Sequence, residues 1–451
     1  MTTICHYVPT LGTHLHRPLK IVRHLVDLDQ RQCFKVCQSA CVVERQCRSR
    51  ETPKGRIMVA VARKLPFSGP ANLTYGFRPF FLAAAAYAAI IMMIWLPVFD
   101  DSLELVSIFA PVDWHAHEMI FGFLAAVIAG FLLTAIPNWT GRLPVQGYPL
   151  LLLFSIWLAG RIAITFSEVL GWQLVLLIDC SFLLALVFVA AREIVAGKNW
   201  RNLKVVLPLS VLFVANVWFH IEAHLHDSTG SSRRLGLAVG IVFIMLIGGR
   251  IIPSFTRNWL VKRDSPSLPT AFNRFDGVVI GVSALALLSW VGDVQGAWSG
   301  LVLIGAGLLN LVRLARWAGI RTAAEPLIFM LHIAYVFVPA GFILLGLAML
   351  FPDLVPVSAG AHAFGVGAVG CMTLTVMTRA TLGHTGQPLA ANLTVILVFA
   401  AIIMAAAMRV GAVFDHAFGA QMLHLAGVFW ILAFAGFVLA NGKALVSTRM
   451  Q

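Results

Sequence analysis

Charged residues are scarce in this 451-residue chain. Only 12% of the residues are Asp, Glu, Lys or Arg, whereas 59% are hydrophobic and the mean hydropathy is +0.86. A soluble protein of this length cannot cover its surface with so few charges. The composition therefore excludes an ordinary soluble globular protein and predicts a polytopic membrane protein whose partner is lipid.

The sequence also lacks alternating strand patterns and a signal peptide. Without the period-two alternation of transmembrane β-strands, helices are the structure that satisfies the backbone in lipid. The first apolar run, 58–62, is short and precedes Arg63 and Lys64, unlike a secretory signal. The first 66 residues hold twelve Lys or Arg and four Asp or Glu, which is +8 of the net +13. This distribution favours membrane topology over nucleic-acid binding.

Apolar runs of membrane-spanning length, about 20 residues each, fill the rest of the chain. They predict an all-α polytopic membrane protein with about twelve transmembrane helices, at 77–99, 115–136, 149–166, 171–195, 203–226, 234–254, 277–295, 299–318, 327–350, 358–378, 392–413 and 419–441. Residues 66–451 are thus the membrane domain. Residues 1–65 are a basic, Cys-containing extension, interpreted as disordered or as a misassigned start. Three of its cysteines could share a helical face, although their spacing matches no zinc or iron–sulfur pattern.

The charges of the connecting loops predict the orientation. Lys and Arg are concentrated in the loops of one side, and Arg233 and Arg234 are the only basic residues in the loops of the other side. By the positive-inside rule the basic side is cytoplasmic. An even number of spans then places both termini in the cytoplasm, and in a bacterium the protein lies in the inner membrane.

Three predicted helix ends are similar to one another. They are TAIPNWTG (134–141), GGRIIPSFTRNWL (248–260) and TVMTRATLGHTG (375–386), about 120 residues apart. This spacing is compatible with three four-helix repeats, with chance similarity as the alternative. We interpret these ends as interfacial anchors, and the alternative is an anion or haem-propionate site at their arginines.

Histidines at the predicted outer face form the main candidate site. Imidazole suits copper, iron and zinc, and ionisable groups at a membrane boundary are functional candidates. We predict metal or haem ligation by the set His115, His117, His220, His224 and His362. Further candidates at this face are His424, Glu118, Glu222 and His226. For any one of these residues, simple hydration at the interface is the alternative.

Spacing limits which of these histidines can share a ligand. His220 and His224 are four residues apart and lie on one helical face. His115 and His117 are two apart, so they bind one metal only if the chain there is not helical, and otherwise serve two sites. Within the spans, Arg161 and Asp179 would form a buried ion pair between adjacent helices; snorkelling of each side chain is the alternative.

Several motifs taken together resemble the NnrS family. They are GFRPFFL (76–82), HAHEMIFGF (115–123), GFLLTAIPNWTG (130–141), GRIIPSFTRNWL (249–260) and VMTRATLGHTGQPL (376–389). The resemblance covers about residue 70 to the C-terminus. It implies a multi-spanning bacterial inner-membrane protein that contains haem and copper and is tied to denitrification and to resistance against nitric oxide stress. It does not assign the ligands.

We therefore expect a haem- and copper-binding membrane protein of the nitric oxide response. Nitric oxide or another small gas is the expected ligand, because haem iron binds it directly. The alternative is a polytopic transporter that uses the polar and histidine sites for metal, proton or small-solute translocation. Neither an enzymatic reaction nor an electron donor is predicted.

Overall fold

The computed structural model describes residues 67, 69–226, 229–415 and 417–447. Within them, twelve helical segments are long and apolar enough to cross a membrane: α1 (Phe77–Phe99), α2 (Pro111–Thr140), α3 (Tyr148–Thr165), α4 (Trp172–Ala196), α5 (Trp200–His226), α6 (Gly230–Val261), α7 (Arg274–Val291), α8 (Ala297–Ala315), α9 (Pro326–Leu350), α10 (Val357–Thr385), α11 (Leu393–Gly411) and α12 (Gly419–Val446). The described residues contain no strand, so the predicted all-α polytopic architecture is confirmed. The extension predicted for 1–65 lies outside them.

The second, sixth and tenth helices are longer than predicted. α6 covers 230–261 instead of 234–254, and α10 ends at Thr385 instead of 378. Arg233 and Arg234, which were predicted to lie in an outer loop, therefore belong to the start of α6. Hydropathy placed these helix ends too early because their polar side chains line interior spaces. α10 continues until Gly386, whose left-handed backbone (φ 80°) ends the helix.

Each of these three helices contains a π-helical segment. The segments are Glu118–Leu124 in α2, Ile244–Gly248 in α6 and Ala363–Gly370 in α10. Such segments are rare and are frequent at functional sites. The three helices are also the most enclosed, with 83%, 61% and 72% of their apolar windows buried against 33–50% in the other nine described spans. The π-helical segments and the high burial therefore recur at every fourth helix, as they would in three four-helix repeats.

The other helices form a ring around α2, α6 and α10. α4 packs on α5, α8 packs on α9, and α12 packs on α1, so the chain closes on its own beginning. Inside the ring, α6 contacts both α2 and α10. The three central helices all begin at one end of the bundle, which we call the outer face after the predicted topology. Their walls position the candidate sites.

Candidate metal and cofactor sites

A group of polar side chains is buried where α2, α4 and α5 meet. His117, Asp179 and His220 are each at most 1% exposed. The Nε2 atoms of the two histidines lie 3.2 and 3.1 Å from Asp179 Oδ2. One ligand atom from each residue falls within 4.8 Å of the others, which is close enough to hold a metal ion. We call His117, Asp179 and His220 the buried cluster.

The separations in the buried cluster are those of hydrogen bonds. Ligands at about 2.0 Å from a tetrahedral metal lie about 3.3 Å from one another. An ion between these atoms would therefore require only a small expansion. The geometry is compatible both with a hydrogen-bonded network and with a metal centre.

Charged and polar neighbours surround the buried cluster. Arg161 of α3 donates to Glu118 Oε1 (2.6 Å) and also pairs with Asp179, which confirms the predicted ion pair. Tyr87 donates to Glu118, and the Asn216 amide donates to Asp179 Oδ2 (2.7 Å). One guanidinium and two carboxylates leave one negative charge. Because an unbalanced buried charge is costly, this surplus favours a bound cation or one additional proton.

The two histidines of the buried cluster have different contacts at Nδ1. Nδ1 of His117 lies 2.9 Å from Glu118 Oε1. With an ion at Nε2, Nδ1 would donate to this carboxylate, as in the histidine ligands of many metal sites. Without an ion, Nε2 faces two acceptors, Asp179 Oδ2 (3.2 Å) and Asn216 Oδ1 (3.0 Å), to which an N–H group donates. Nδ1 of His220 is buried and has no hydrogen-bond partner among the described residues. His117 is thus the better oriented ligand of the two.

A cavity of about 430 Å³, which we call the outer cavity, lies between the outer halves of α2, α6 and α10. His115 and His362 both line it, among apolar side chains that include Met119, Phe123 and Val369. The same two histidines line an adjoining cavity of about 150 Å³. They therefore stand at the boundary between the two spaces and can reach one occupant from two helices.

His362 and His115 are held by different contacts. Nδ1 of His362 lies 2.8 Å from the Ser358 carbonyl oxygen, to which it donates, so Nε2 carries the lone pair. The His115 ring stacks on Trp95, with centroids 4.3 Å apart and planes 19° apart. Its Nδ1 is buried without a partner among the described residues. The stack on Trp95 fixes the His115 ring at the cavity wall, and the hydrogen bond to Ser358 fixes the His362 ring.

The structure separates His224 and His226 from these sites. His220 is buried, whereas His224 is exposed and stacks on Trp172 with centroids 4.1 Å apart. His226, at the end of α5, is also exposed. His220 and His224 lie on one face of α5 but at different depths in the bundle, because the end of α5 extends beyond the packed part of the bundle.

His424 and Glu222 also have partners of their own. Nε2 of His424 lies 2.8 Å from Asp100 Oδ2 in an exposed pair. Glu222 accepts hydrogen bonds from the backbone N–H groups of Ser231 (3.1 Å) and Ser232 (2.9 Å). It thus satisfies donors at the start of α6, a structural role.

Sequence reasoning did not single out Tyr87 and Trp95. Tyr87 is the only tyrosine of α1 and one of five in the chain, and its hydroxyl meets Glu118. Trp95 lies in an apolar run, where it resembles an interfacial anchor. Only packing reveals that its ring covers His115. One signal for Tyr87 was present in the sequence, which is that tyrosine is rare in this chain.

The motifs that carry the family resemblance all lie in the part of the chain that matches a known family. A sequence model of the NnrS protein matches residues 71–449. The chain belongs to the NnrS family. This confirms the resemblance predicted from the motifs, and membership in the NnrS family supports a nitric-oxide-response membrane protein in general. No curated protein matches the chain.

Proposed function

We propose that this NnrS family member binds haem in the outer cavity and copper in the buried cluster, and that it acts in the response to nitric oxide. The observation that carries the proposal is that His115 and His362, from two different central helices, line one cavity. Family membership supports the nitric oxide response in general. The residues of the two sites supply the chemistry that each group needs.

The outer cavity fits haem by size and by lining. Its volume of about 430 Å³ lies in the range of small-molecule and cofactor sites. His115 and His362 would hold the iron, while Arg233 and Arg234 at the cavity wall already pair with Asp113 and Asp293 and would add positive charge near the carboxylates of the macrocycle. Bound haem would supply an iron centre for electron transfer or gas binding.

The buried cluster fits a borderline divalent metal such as copper(II). Two imidazoles and one carboxylate form the donor set, and imidazole suits copper. Glu118 orients His117, while Arg161 holds Asp179. These neighbours do not bind the ion themselves. They fix the ligands in place, as outer groups do in characterised metal sites.

The ligand that we propose is nitric oxide or another small gas. The cavity of about 150 Å³ beside His115 and His362, which is mainly apolar apart from Arg409, is large enough for a small molecule. Such a gas can enter from the lipid. We place the protein in a bacterial inner membrane with both termini in the cytoplasm, because the basic loops lie on the side opposite to the outer cavity.

Absorption spectra and metal analysis of the purified protein test this assignment. We expect a Soret band and copper in the wild type, loss of haem in His115→Ala and His362→Ala, and loss of copper in His117→Ala. His224→Ala, an exposed histidine outside both sites, is the matched control and should keep both. Absence of haem and copper from the wild type would refute the proposal, and unchanged contents in all variants would remove the site assignment.

A separate measurement tests the gas ligand. Nitric oxide added to the reduced, haem-loaded protein should shift the Soret band. If the haem is present and its spectrum does not respond, the gas site is wrong while the haem site stands.

A transporter is the second candidate, and one observation favours it. The central helices also enclose an inner cavity of about 520 Å³ near the opposite face, which shares no lining residue with the outer cavity. Two spaces in line between the same helices are typical of a transport path. Copper uptake into proteoliposomes that depends on Asp179, together with a wild type that has no Soret band, would favour transport over the haem protein.

A further inference from the structure

The inner cavity has a charged mouth and an apolar interior. It lies between the inner halves of α2, α6 and α10 and is lined by the similar helix ends of the three repeats. Asn138, Lys204 and Arg250 line it and are exposed, which marks its open end. Phe81 and Leu331 line it and are fully buried, which marks its closed end. A ligand that fills it needs a polar end and an apolar body.

Among the described residues, the cations of the inner cavity form no close ion pair, although the Glu325 carboxylate lies near enough to Arg379 to attract it. Arg250, Arg379 and Lys204 line it, and none of the described lining residues is acidic. None of the three forms an ion pair within 4.0 Å with a described carboxylate. The Arg379 guanidinium instead lies over the Phe255 ring, 4.2 Å from its centroid. This stacking holds the guanidinium at the cavity wall with its N–H donors available.

Membrane topology does not by itself account for these charges. The positive-inside rule covers Arg250 and Arg379, which lie toward the inner ends of α6 and α10, but it does not require both of them to line one cavity. Two arginines at the wall of one cavity supply the donors that an anion needs, because guanidinium groups match phosphate and carboxylate geometry. A free inorganic anion would leave most of the cavity of about 520 Å³, including its apolar interior, unfilled.

We propose that the inner cavity binds an anionic phospholipid, with its phosphate at Arg250, Arg379 and Lys204 and part of an acyl chain against Phe81 and Leu331. The membrane supplies such a ligand at high local concentration. Basic pockets between transmembrane helices are known to bind anionic head groups. This site is on the opposite face from the outer cavity, so it stands independently of the proposed haem and copper.

Lipid analysis of the full chain, purified in mild detergent, tests the proposal. We expect phosphatidylglycerol or another anionic phospholipid to remain bound at about one per chain, and retention to fall about tenfold in Arg250→Gln/Arg379→Gln. Arg257→Gln/Arg263→Gln removes two exposed cations near the same end of α6 and should retain the lipid. Equal retention in the two double variants, or no anionic lipid in the wild type, overturns the site.

A cavity-filling variant and a competition assay distinguish a lipid from a soluble anion. Ala135→Phe fills part of the interior and leaves all three cations in place, so it should also release the lipid. In the wild type, labelled phosphatidylglycerol should be displaced by unlabelled phosphatidylglycerol but not by phosphatidylcholine or inorganic phosphate. Displacement by phosphate, or full retention in Ala135→Phe, would overturn the phospholipid assignment. The competition assay needs no variant to fold.

Discussion

His115 and His117 are separated by one residue in α2, yet they face two different sites. His115 lines the outer cavity with His362, whereas His117 lies 3.2 Å from Asp179 in the buried cluster. The chain is α-helical over Pro111–His117, and residues two apart on a helix of 3.6 residues per turn point about 200° apart. One short backbone segment therefore connects both sites, and a shift of α2 at one would be felt at the other.

Replacement of Asp179 by Asn should destabilise the protein and lower its copper content. The substitution keeps the shape but removes the charge that pairs with Arg161 and faces His117 and His220. The loss of these charge-assisted hydrogen bonds costs about 2 kcal/mol, less than breaking an isolated buried pair, because Glu118 still neutralises Arg161. Thermal unfolding in detergent measures the effect. Asp353→Asn, at an exposed position, is the control, and an equal Tm for the two variants would contradict the prediction.

Replacement of Gly249 by Ala should destabilise α6 against α8. An added Cβ would clash with Arg313 Nη2. The guanidinium cannot yield easily, because it donates to Asp276 (2.9 Å) and Tyr335 (2.8 Å). Overpacking of this kind costs about 1–3 kcal/mol. Gly305→Ala, where the new Cβ meets open space, should be neutral or stabilising. The prediction fails if both variants unfold at the wild-type temperature.

Replacement of Glu222 by Gln should lower stability without changing metal content. Its carboxylate accepts from the backbone of Ser231 and Ser232 at the start of α6, and loss of its charge removes about 1 kcal/mol. Glu168→Gln, at an exposed site, is the control. The Tm and the copper content are measured on the same samples. A fall in copper in Glu222→Gln alone would return this residue to the list of metal ligands.

Replacement of Trp95 by Leu should weaken haem retention through His115. The indole stacks on His115 with centroids 4.3 Å apart and restricts its orientation. Trp172→Leu removes an equivalent stack on the exposed His224, at 4.1 Å, and serves as the matched control. We expect a several-fold loss of haem during dialysis, with an altered Soret band, in Trp95→Leu only. Identical haem loss from both variants would show that the stack does not position His115.

The sequence predicted the pair Arg161–Asp179 but not its surroundings. Both residues are costly in lipid and lie in adjacent helices, so pairing could be inferred from hydropathy alone. Tyr87 and Asn216 join them from α1 and α5, at positions that depend on how each helix is rotated. Rotation is set by packing with several neighbours at once. A local sequence pattern carries little information about it.

The single histidine cluster predicted from the sequence became two groups for the same reason. His117 and His220 meet Asp179, His115 and His362 line a cavity, and His224 remains exposed. Sequence placed all five at one face because depth along a helix follows from residue number. Which of them meet depends on the direction of each side chain, and the structure alone supplies it. The assignment of ligands remains a prediction.

The sequence by itself determined the membrane class, the twelve helices and the family, because long apolar runs and the order of motifs are properties of the chain that need no packing. Tertiary structure decided the rest. It brought α2, α6 and α10 to the centre, gave each of them a π segment, and enclosed cavities at both ends of them. Those features arise from contacts between residues far apart in sequence, which hydropathy and spacing do not encode.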